Sequence, residues 1–216
     1  MDIEKAAARL RKGGVAVIYD GDGREGEADM VFHAGFAAPE KIETLRKDAG
    51  GLICLAIEKD IADRMGLPFY TEILSGSGFD IKAMECTKTA YKDRPSFAIA
   101  VNNRGVYTGI TDNDRAMTIR KMAELAENRG DLKEGLIRDF YSPGHVFLLI
   151  GRGIRNRQGH TELALALANA AGMKGMMVLC EMLGSGKALS KENAKEYAEK
   201  NGCPFLEGKE IVEWLK

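Results

Sequence analysis

Apolar and polar residues follow one another along this chain in blocks that predict helices and strands in turn. Apolar residues recur at helical spacing over residues 3–10, and a glycine pair then separates them from the apolar run 15–19, which predicts a strand. Similar runs predict further strands at 30–32, 52–57, 97–101, 146–150 and 176–180. Periodic segments between the runs predict helices at 39–48, 60–65, 112–126, 161–171, 191–200 and 211–215.

Residues that favour helix starts support several of these elements. The predicted N-caps are Asp60, Asp112 or Asn113, and Ser190. From residue 71 to residue 93 the pattern dissolves, which predicts a long loop or a peripheral strand pair. Because strands and helices interleave without repeats or an obvious linker, we expect one α/β or α+β domain over residues 1–216.

The composition excludes some functional classes. The 216 residues are 45% hydrophobic and 29% charged, with a formal net charge of -1, as in an ordinary globular protein. This balance lacks the basic excess of proteins that bind nucleic acid or anionic membranes. The longest apolar runs fall far short of the roughly 20 residues that a membrane span needs, and the start of the chain lacks a signal sequence. We therefore expect a cytoplasmic protein that binds neither nucleic acid nor membrane.

The four cysteines add no metal or disulfide motif. Cys54, Cys86, Cys180 and Cys203 are widely separated and form no CxxC pair. We expect them to be reduced.

The densest charge in the chain lies at residues 24–29, directly after the first predicted strand. If this segment is extended, Glu25, Glu27 and Asp29 point to one face, and if it is helical, Glu25 and Asp29 still share a face. Converging carboxylates repel one another unless a cation lies between them, so the spacing favours a divalent metal or a partner such as Arg24. A solvated acidic loop is the alternative.

A second candidate lies in the loop Arg157-Gln158-Gly159-His160-Thr161. The glycine allows the backbone to approach a ligand, Thr161 can cap the helix that follows, and the helix N-terminus together with Arg157 favours a phosphate. The imidazole of His160 could join Glu25 on a metal. A capping turn with an incidental histidine remains the alternative.

Two further polar residues lie at strand ends. His145 precedes the predicted strand 146–150, where a general acid or base could be rigidly presented, although a partly buried structural histidine is as consistent. Glu181 follows the predicted strand 176–180, at the kind of strand end where open α/β sheets bind ligands. A solvated strand end is the alternative for Glu181.

Taken together, these residues resemble the 3,4-dihydroxy-2-butanone 4-phosphate synthase family, across roughly residues 3 to 212. Its motifs are matched in order by the segment 20–30, Thr108-Gly109-Ile110-Thr111 with Asp114-Arg115, Pro143-Gly144-His145-Val146-Phe147, Arg157-Gln158-Gly159-His160-Thr161-Glu162 and Val178-Leu179-Cys180-Glu181. The resemblance implies a single α+β domain, an α/β-type layered sandwich in which helices flank a mixed β-sheet. No segment resembling a GTP cyclohydrolase II domain follows residue 216, so the chain looks like the stand-alone, archaeal-like form.

The resemblance also implies an activity and its residues. The family converts D-ribulose 5-phosphate into L-3,4-dihydroxy-2-butanone 4-phosphate and formate in riboflavin biosynthesis. Glu25 and His160 are expected to bind Mg²⁺ or Mn²⁺, with two ions per site. Catalytic roles are implied for His145, Glu181, Glu27 and Asp20. Substrate contacts are implied for Arg24, Glu25, Asp29, Thr111, Arg157, Gln158, Gly159, His160, Thr161 and Glu181. A homodimer with sites close to the subunit boundary is also expected.

Two other functions compete with this one. A nucleotide- or tRNA-binding protein of a related α/β sandwich fold would need a basic groove, and no Lys/Arg-rich groove stands out. A metal-binding regulator without turnover would not need His145 and Glu181 in addition to the metal pair.

Overall fold

A mixed β-sheet forms the centre of the protein. The structure is a computed structural model that describes residues 2–86 and 88–215. Over these residues the strands are β1 Ala16–Tyr19, β2 Ala28–His33, β3 Cys54–Ile57, β4 Phe97–Asn103, β5 Phe140–Ile150, β6 Met176–Glu181 and β7 Phe205–Glu207. Their order across the sheet is β4-β5-β3-β6-β2-β1-β7. The pairs β3–β5 and β1–β7 are parallel, and the other neighbouring pairs are antiparallel.

Helices cover both faces of the sheet. They are α1 Asp2–Arg11, α2 Pro39–Asp48, α3 Lys59–Met65, α4 Tyr70–Ser75, α5 Asp112–Glu127, α6 Leu132–Asp139, α7 His160–Ala170, α8 Lys191–Lys200 and α9 Gly208–Trp214. Short 3-10 helices lie at Ala34–Phe36 and Asp80–Met84. None of the helices in the described part of the chain is long and apolar enough to cross a membrane.

Strand alternation divides the apolar core into two layers. On one face, side chains of α2, α3, α5, α6 and α8 pack against inward-facing residues such as Phe32 and Leu55. On the other face, α1, α7 and α9 pack against residues such as Ile18 and Leu179. Because the central strands are buried on both faces, they consist of continuous apolar runs, which made them visible in the sequence. The predicted layered α+β sandwich with a mixed sheet is confirmed.

The strand register brings distant polar residues to one level of the sheet. Asp29 of β2 lies directly opposite Glu181 of β6. Cys54 of β3 pairs with both Phe147 and Leu179. The pairing of β4 with β5 shifts between Val146 and Tyr141, so His145 lies in an irregular part of β5.

The segment 71–93 differs from the prediction of a long loop or strand pair. It contains most of α4 and the 3-10 helix Asp80–Met84, and its described residues form no strand. In α4, the Glu72 side chain accepts a hydrogen bond from the Phe69 backbone N–H at 2.9 Å. A helix of six residues is too short to produce a periodic pattern, so local capping decides its structure.

Three predicted caps are also corrected. Asp60 and Asp112 lie inside the first turns of α3 and α5, whose N-cap residues are Glu58 and Thr111. Thr161 lies in the first turn of α7, whose N-cap residue is Gly159. Acidic residues are favoured by the helix dipole in first turns as well as at caps, which explains the displacement of one or two residues for the aspartates. The Ser190 cap is present, with its hydroxyl accepting from Asn193 N–H.

Candidate active site

The turn that follows β1 is organised around one buried carboxylate. Asp20 accepts hydrogen bonds from the backbone N–H groups of Glu25, Gly26 and Glu27, at 3.1 to 3.2 Å. The Nε of Arg24 donates to the same carboxylate at 3.3 Å. Asp20 therefore fixes the conformation of the acidic segment, since both of its oxygens are already engaged.

The acidic segment then places its three carboxylates on one cavity. Asp29 belongs to β2, Glu27 lies directly before this strand, and the side chains of both line the cavity. Glu25 reaches the same cavity from the turn. The extended alternative of the sequence analysis therefore describes the segment better than the helical one.

The cavity has a volume of about 410 Å³, in the range of small-molecule sites. Its polar lining comes from six different parts of the chain, which the sheet and α7 bring together. The lining includes Glu25, Glu27, Asp29, Cys54, Thr89, Tyr91, Ser96, Arg157, His160, Thr161 and Glu181.

His160 lies in the first turn of α7, among the carboxylates. Its Nδ1 is 3.2 Å from Glu25 Oε2, and its Nε2 is 3.1 Å from the Glu27 carbonyl oxygen and 3.5 Å from Asp29 Oδ1. The imidazole is buried, so these neighbours dominate its charge. Burial opposes protonation of His160, but the carboxylates of Asp29 and Glu25 outweigh it and raise its pKa to about 10.

The carboxylates around His160 differ in proton affinity. Burial raises the pKa of Asp29 to about 8, and the nearby Glu181 adds to this effect. Burial would also raise the pKa of Glu25, but the hydrogen bond from His160 and smaller effects of Tyr91 and Arg24 lower it to about 2. Burial raises the pKa of Glu27. A small cluster thus contains carboxyl groups of contrasting acidity, which is typical of acid–base sites.

Two arginines lie close to the acidic cluster, Arg157 in the lining of the cavity and Arg24 in ion pairs with Asp20 and Glu25. Arg157 is buried and donates from Nη1 to Glu162 Oε2 at 2.6 Å. The guanidinium passes over Gly159, where an added Cβ would lie 2.2 Å from Nη1, so a side chain there would displace it. Arg24 bonds to Asp93 and lies over the Tyr91 ring at 5.2 Å. The N-terminus of α7 and two arginines therefore form a cationic region suited to an anion.

Two predicted residues lie away from this cavity. His145 is exposed, and its backbone N–H donates to Asn102 Oδ1 at 2.9 Å. Asn102 also donates to the Tyr141 hydroxyl at 3.0 Å and packs against Gly109. Thr111 caps α5 at the end of the turn that contains Gly109, where its hydroxyl accepts from Asp114 N–H. His145 and Thr111 thus belong to a neighbouring cluster on the same sheet, while Gln158 is exposed at the rim of the α7 loop.

Sequence reasoning missed four contributors to the site. Tyr91 and Asp93 contact Arg24 from a segment that carried no recognisable pattern. Glu162 was visible in its motif but received no role, and it binds both the Arg157 side chain and the Arg152 N–H. Ser96 lines the cavity beside them.

The donor atoms near His160 fit a divalent cation. Asp20, Glu25 and His160 each offer one ligand atom, and these three atoms lie within 4.8 Å of one another. Both oxygens of the buried Asp29 lack a hydrogen-bond partner among the described residues. Two ligands of an octahedral Mg²⁺, at about 2.1 Å from the ion, lie about 3 Å apart, close to the 3.2 Å between Glu25 and His160. The mixed oxygen and nitrogen set also suits Mn²⁺.

Proteins that share one name resemble this chain along nearly its whole length. The sequence profile described as 3,4-dihydroxy-2-butanone 4-phosphate synthase matches residues 4–214. The chain is 41% identical to the 3,4-dihydroxy-2-butanone 4-phosphate synthase of Archaeoglobus fulgidus, over 99% of this chain and 93% of that protein. It is 38% identical to the protein of the same name from Methanothermobacter thermautotrophicus, over 98% of this chain and 94% of that protein.

Solved structures share the fold. The 3,4-dihydroxy-2-butanone 4-phosphate synthase of Candida albicans superposes with a TM-score of 0.77 and 25% identity, covering 99% of this chain and 97% of that one. A synthase of the same name in complex with two magnesium ions has a TM-score of 0.78 and 22% identity, with 99% and 95% covered. Because the profile and the archaeal relatives match nearly the full length, the chain belongs to the 3,4-dihydroxy-2-butanone 4-phosphate synthase family.

Proposed function

We propose that this chain converts D-ribulose 5-phosphate into L-3,4-dihydroxy-2-butanone 4-phosphate and formate, as a cytoplasmic enzyme of riboflavin biosynthesis. The observation that carries the proposal is one cavity with a cationic end for a phosphate and an acidic end around His160. The relatives that match along the whole chain bear the name of this synthase. The reaction needs both ends, because a phosphorylated sugar must be held while protons are moved around its carbonyl group.

The phosphate binds at the cationic end of the cavity. Arg157 is held in place by Glu162, and the α7 N-terminus begins two residues later, so a charged donor and the positive end of a helix dipole point to one location. Arg24 adds a second guanidinium. Gly159 keeps the backbone open there, and Gln158, Thr161 and His160 complete this side of the substrate site.

Proton transfer takes place at the acidic end. Glu181 faces the cavity directly opposite Asp29, and Glu27 lies beside it with a raised pKa. The substrate must lose a proton next to its ketone, lose the C3 hydroxyl and release C4 as formate, and carboxyl groups that face the reacting atoms suit these steps. We assign proton transfer to Glu181 and Glu27. Asp20 positions the acidic segment, because its oxygens are occupied by hydrogen bonds.

Glu25 and His160 would hold a divalent cation, Mg²⁺ or Mn²⁺, with the orphaned carboxylate of Asp29 next to them. When bound, the cation supplies Lewis-acid polarisation of the substrate's carbonyl group. We propose two ions per site, in line with a protein of the related fold that is described as a complex with two magnesium ions. Glu25 is suited to this role because its lowered pKa keeps it ionised.

A homodimer would bring further residues to the site. His145 is the remaining acid–base candidate, and it lies in an irregular part of β5, where it contacts Asn102. Exposed apolar side chains lie in the turn that contains Gly109, at Tyr107 and Ile110, and next to the ends of β3 and β6, at Leu52 and Leu183. Such a surface favours coverage by a second copy of the chain. Sedimentation at micromolar concentration should show a dimer, and a monomer would count against this part of the proposal.

Formate release tests the function directly. Purified protein with Mg²⁺ and D-ribulose 5-phosphate should release one formate per substrate consumed. Glu181→Gln, purified in the same way, controls for contaminating enzymes and should release formate at least about a hundredfold more slowly. Ribose 5-phosphate, which has no ketone at C2, should yield none. Equal formate release by the protein and the variant would refute the assignment of Glu181.

A further inference from the structure

A compact turn at residues 89–93 brings an acidic group to the cationic end of the cavity. The Thr89 N–H donates to the Asp93 carbonyl oxygen at 2.8 Å, and the Asp93 N–H donates to the Thr89 hydroxyl at 3.2 Å. The turn directs the Asp93 carboxylate between two arginines. Asp93 Oδ2 accepts a hydrogen bond from Arg24 Nη1 and lies 3.6 Å from Arg157 Nε.

This carboxylate leaves both arginines incompletely bonded. Arg24 Nη2 and Arg157 Nε are buried and have no hydrogen-bond partner in the described part of the chain. The side chain of Arg157 is only 7% exposed, so water does not readily replace the missing partner. Two guanidinium groups thus lie against one carboxylate oxygen, and Arg24 Nη2 is 3.6 Å from Glu25 Oε1, beyond hydrogen-bond distance. A group with more oxygens and more negative charge would bind this pair better.

We propose that Asp93 is an internal stand-in for the substrate's phosphate, which occupies the space between Arg24 and Arg157 in the free protein and is displaced when a phosphate binds between them. The identity of the physiological anion rests on the proposed function, whereas the competition itself rests on the two arginines. A carboxylate and a phosphate cannot both occupy the space between them, because like charges at this distance repel.

The competition has a defined consequence for affinity. Only protein molecules in which Asp93 has moved away can bind the anion. The apparent dissociation constant for the anion therefore equals the intrinsic constant divided by the fraction of such molecules. The turn stays near the cavity after displacement, since the Tyr91 ring also lies against Arg24. Asp93 is thus a positioning residue that lowers the affinity for phosphate and keeps the empty site ordered.

Inorganic phosphate tests the proposal without any turnover. Asp93→Asn keeps the shape of the side chain and removes its charge, so its dissociation constant for phosphate, measured by calorimetry, should be about tenfold lower than that of the unmodified protein, or about 1.4 kcal/mol. Asp80→Asn removes the same charge from an exposed position and should bind phosphate like the unmodified protein. Equal or weaker phosphate binding by a folded Asp93→Asn would overturn the proposal.

A second measurement uses the unmodified protein. Saturating phosphate should accelerate amide hydrogen exchange in the peptide that contains Thr89 and Asp93, because the turn loses its attachment to the arginines. Slower exchange there would show that the turn closes over the anion, and would refute the displacement. Formate release distinguishes the synthase function from the role of Asp93. If the unmodified protein releases formate while Asp93→Asn binds phosphate with unchanged affinity, the synthase function stands and the stand-in role of Asp93 fails.

Discussion

The buried carboxylate of Asp29 should make the metal-free protein less stable as the pH rises. Its pKa is 3.8 in the unfolded chain and about 8 in the folded protein, so the folded state binds the proton more tightly. Stability is then unaffected by this group below about pH 3.8 and falls between the two pKa values. The difference of about four pKa units corresponds to about 6 kcal/mol well above pH 8, at 1.36 kcal/mol per unit.

Replacement of Asp29 by asparagine should remove most of this penalty. Between pH 5 and pH 8 the carboxylate accounts for a loss of about 4 kcal/mol in the unmodified protein. His160 adds to the fall, because its raised pKa stabilises the fold below pH 6.5 and this contribution is lost towards pH 10. The pKa of His160 is raised mainly by Asp29. The Asp29→Asn variant therefore also loses part of the pH dependence of stability that comes from His160.

Urea unfolding in the presence of EDTA is the appropriate assay. The free energy of unfolding of Asp29→Asn, relative to that of the unmodified protein, should increase by about 4 kcal/mol from pH 5 to pH 8. Asp80→Asn is the matched control, because the same charge is removed from an exposed site. The reasoning is refuted if Asp29→Asn shows the same pH slope as the unmodified protein. Turnover should still be lost in Asp29→Asn, because the carboxylate that lowers stability is the group that the active site needs.

Other changes test the separate parts of the site. EDTA should abolish turnover, Mg²⁺ or Mn²⁺ should restore it, and Glu25→Gln should bind either metal much more weakly; activity in chelator would contradict the metal site. Because His160 holds a proton up to about pH 10 without metal, Mg²⁺ affinity should rise with pH and binding should release protons. Arg157→Ala should act mainly through KM, whereas Glu181→Gln and His145→Gln should lower kcat about 10²- to 10⁴-fold. A Glu181→Gln variant with raised KM and intact kcat would make this residue a binding group.

Local patterns predicted the parts of the site that are contiguous in the chain. Period-two spacing placed Glu25, Glu27 and Asp29 on one side, and the structure brings all three to the cavity. The loop before α7 was found because a glycine, an arginine and a helix start occur together. Such signals depend on a few neighbouring residues, so the sequence alone contains them.

Contacts between distant segments could not be predicted from the sequence. The opposition of Asp29 and Glu181 depends on the pairing of β2 with β6, and antiparallel register cannot be read from either strand alone. The Asp93 carboxylate reaches Arg157 only because the 89–93 turn folds back on itself.

Helix α6 is a different case, because its signal is local. Asp131 accepts hydrogen bonds from the N–H groups of Lys133 and Glu134, and this capping pattern was present in the sequence but was not used to predict the helix.

The division of charge within the cavity explains how one small site can orient its substrate. Carboxylates surround His160, and the buried Arg157 lines the same cavity, so a molecule with a phosphate at one end and hydroxyl and carbonyl oxygens at the other has one favourable orientation. The reverse orientation would bring the phosphate against Asp29 and Glu181, where like charges repel. Arg157 and His160 are only three positions apart, so the short loop before α7 and the start of this helix fix the distance between them. The rigid start of one buried helix therefore determines both where the phosphate binds and where protons move.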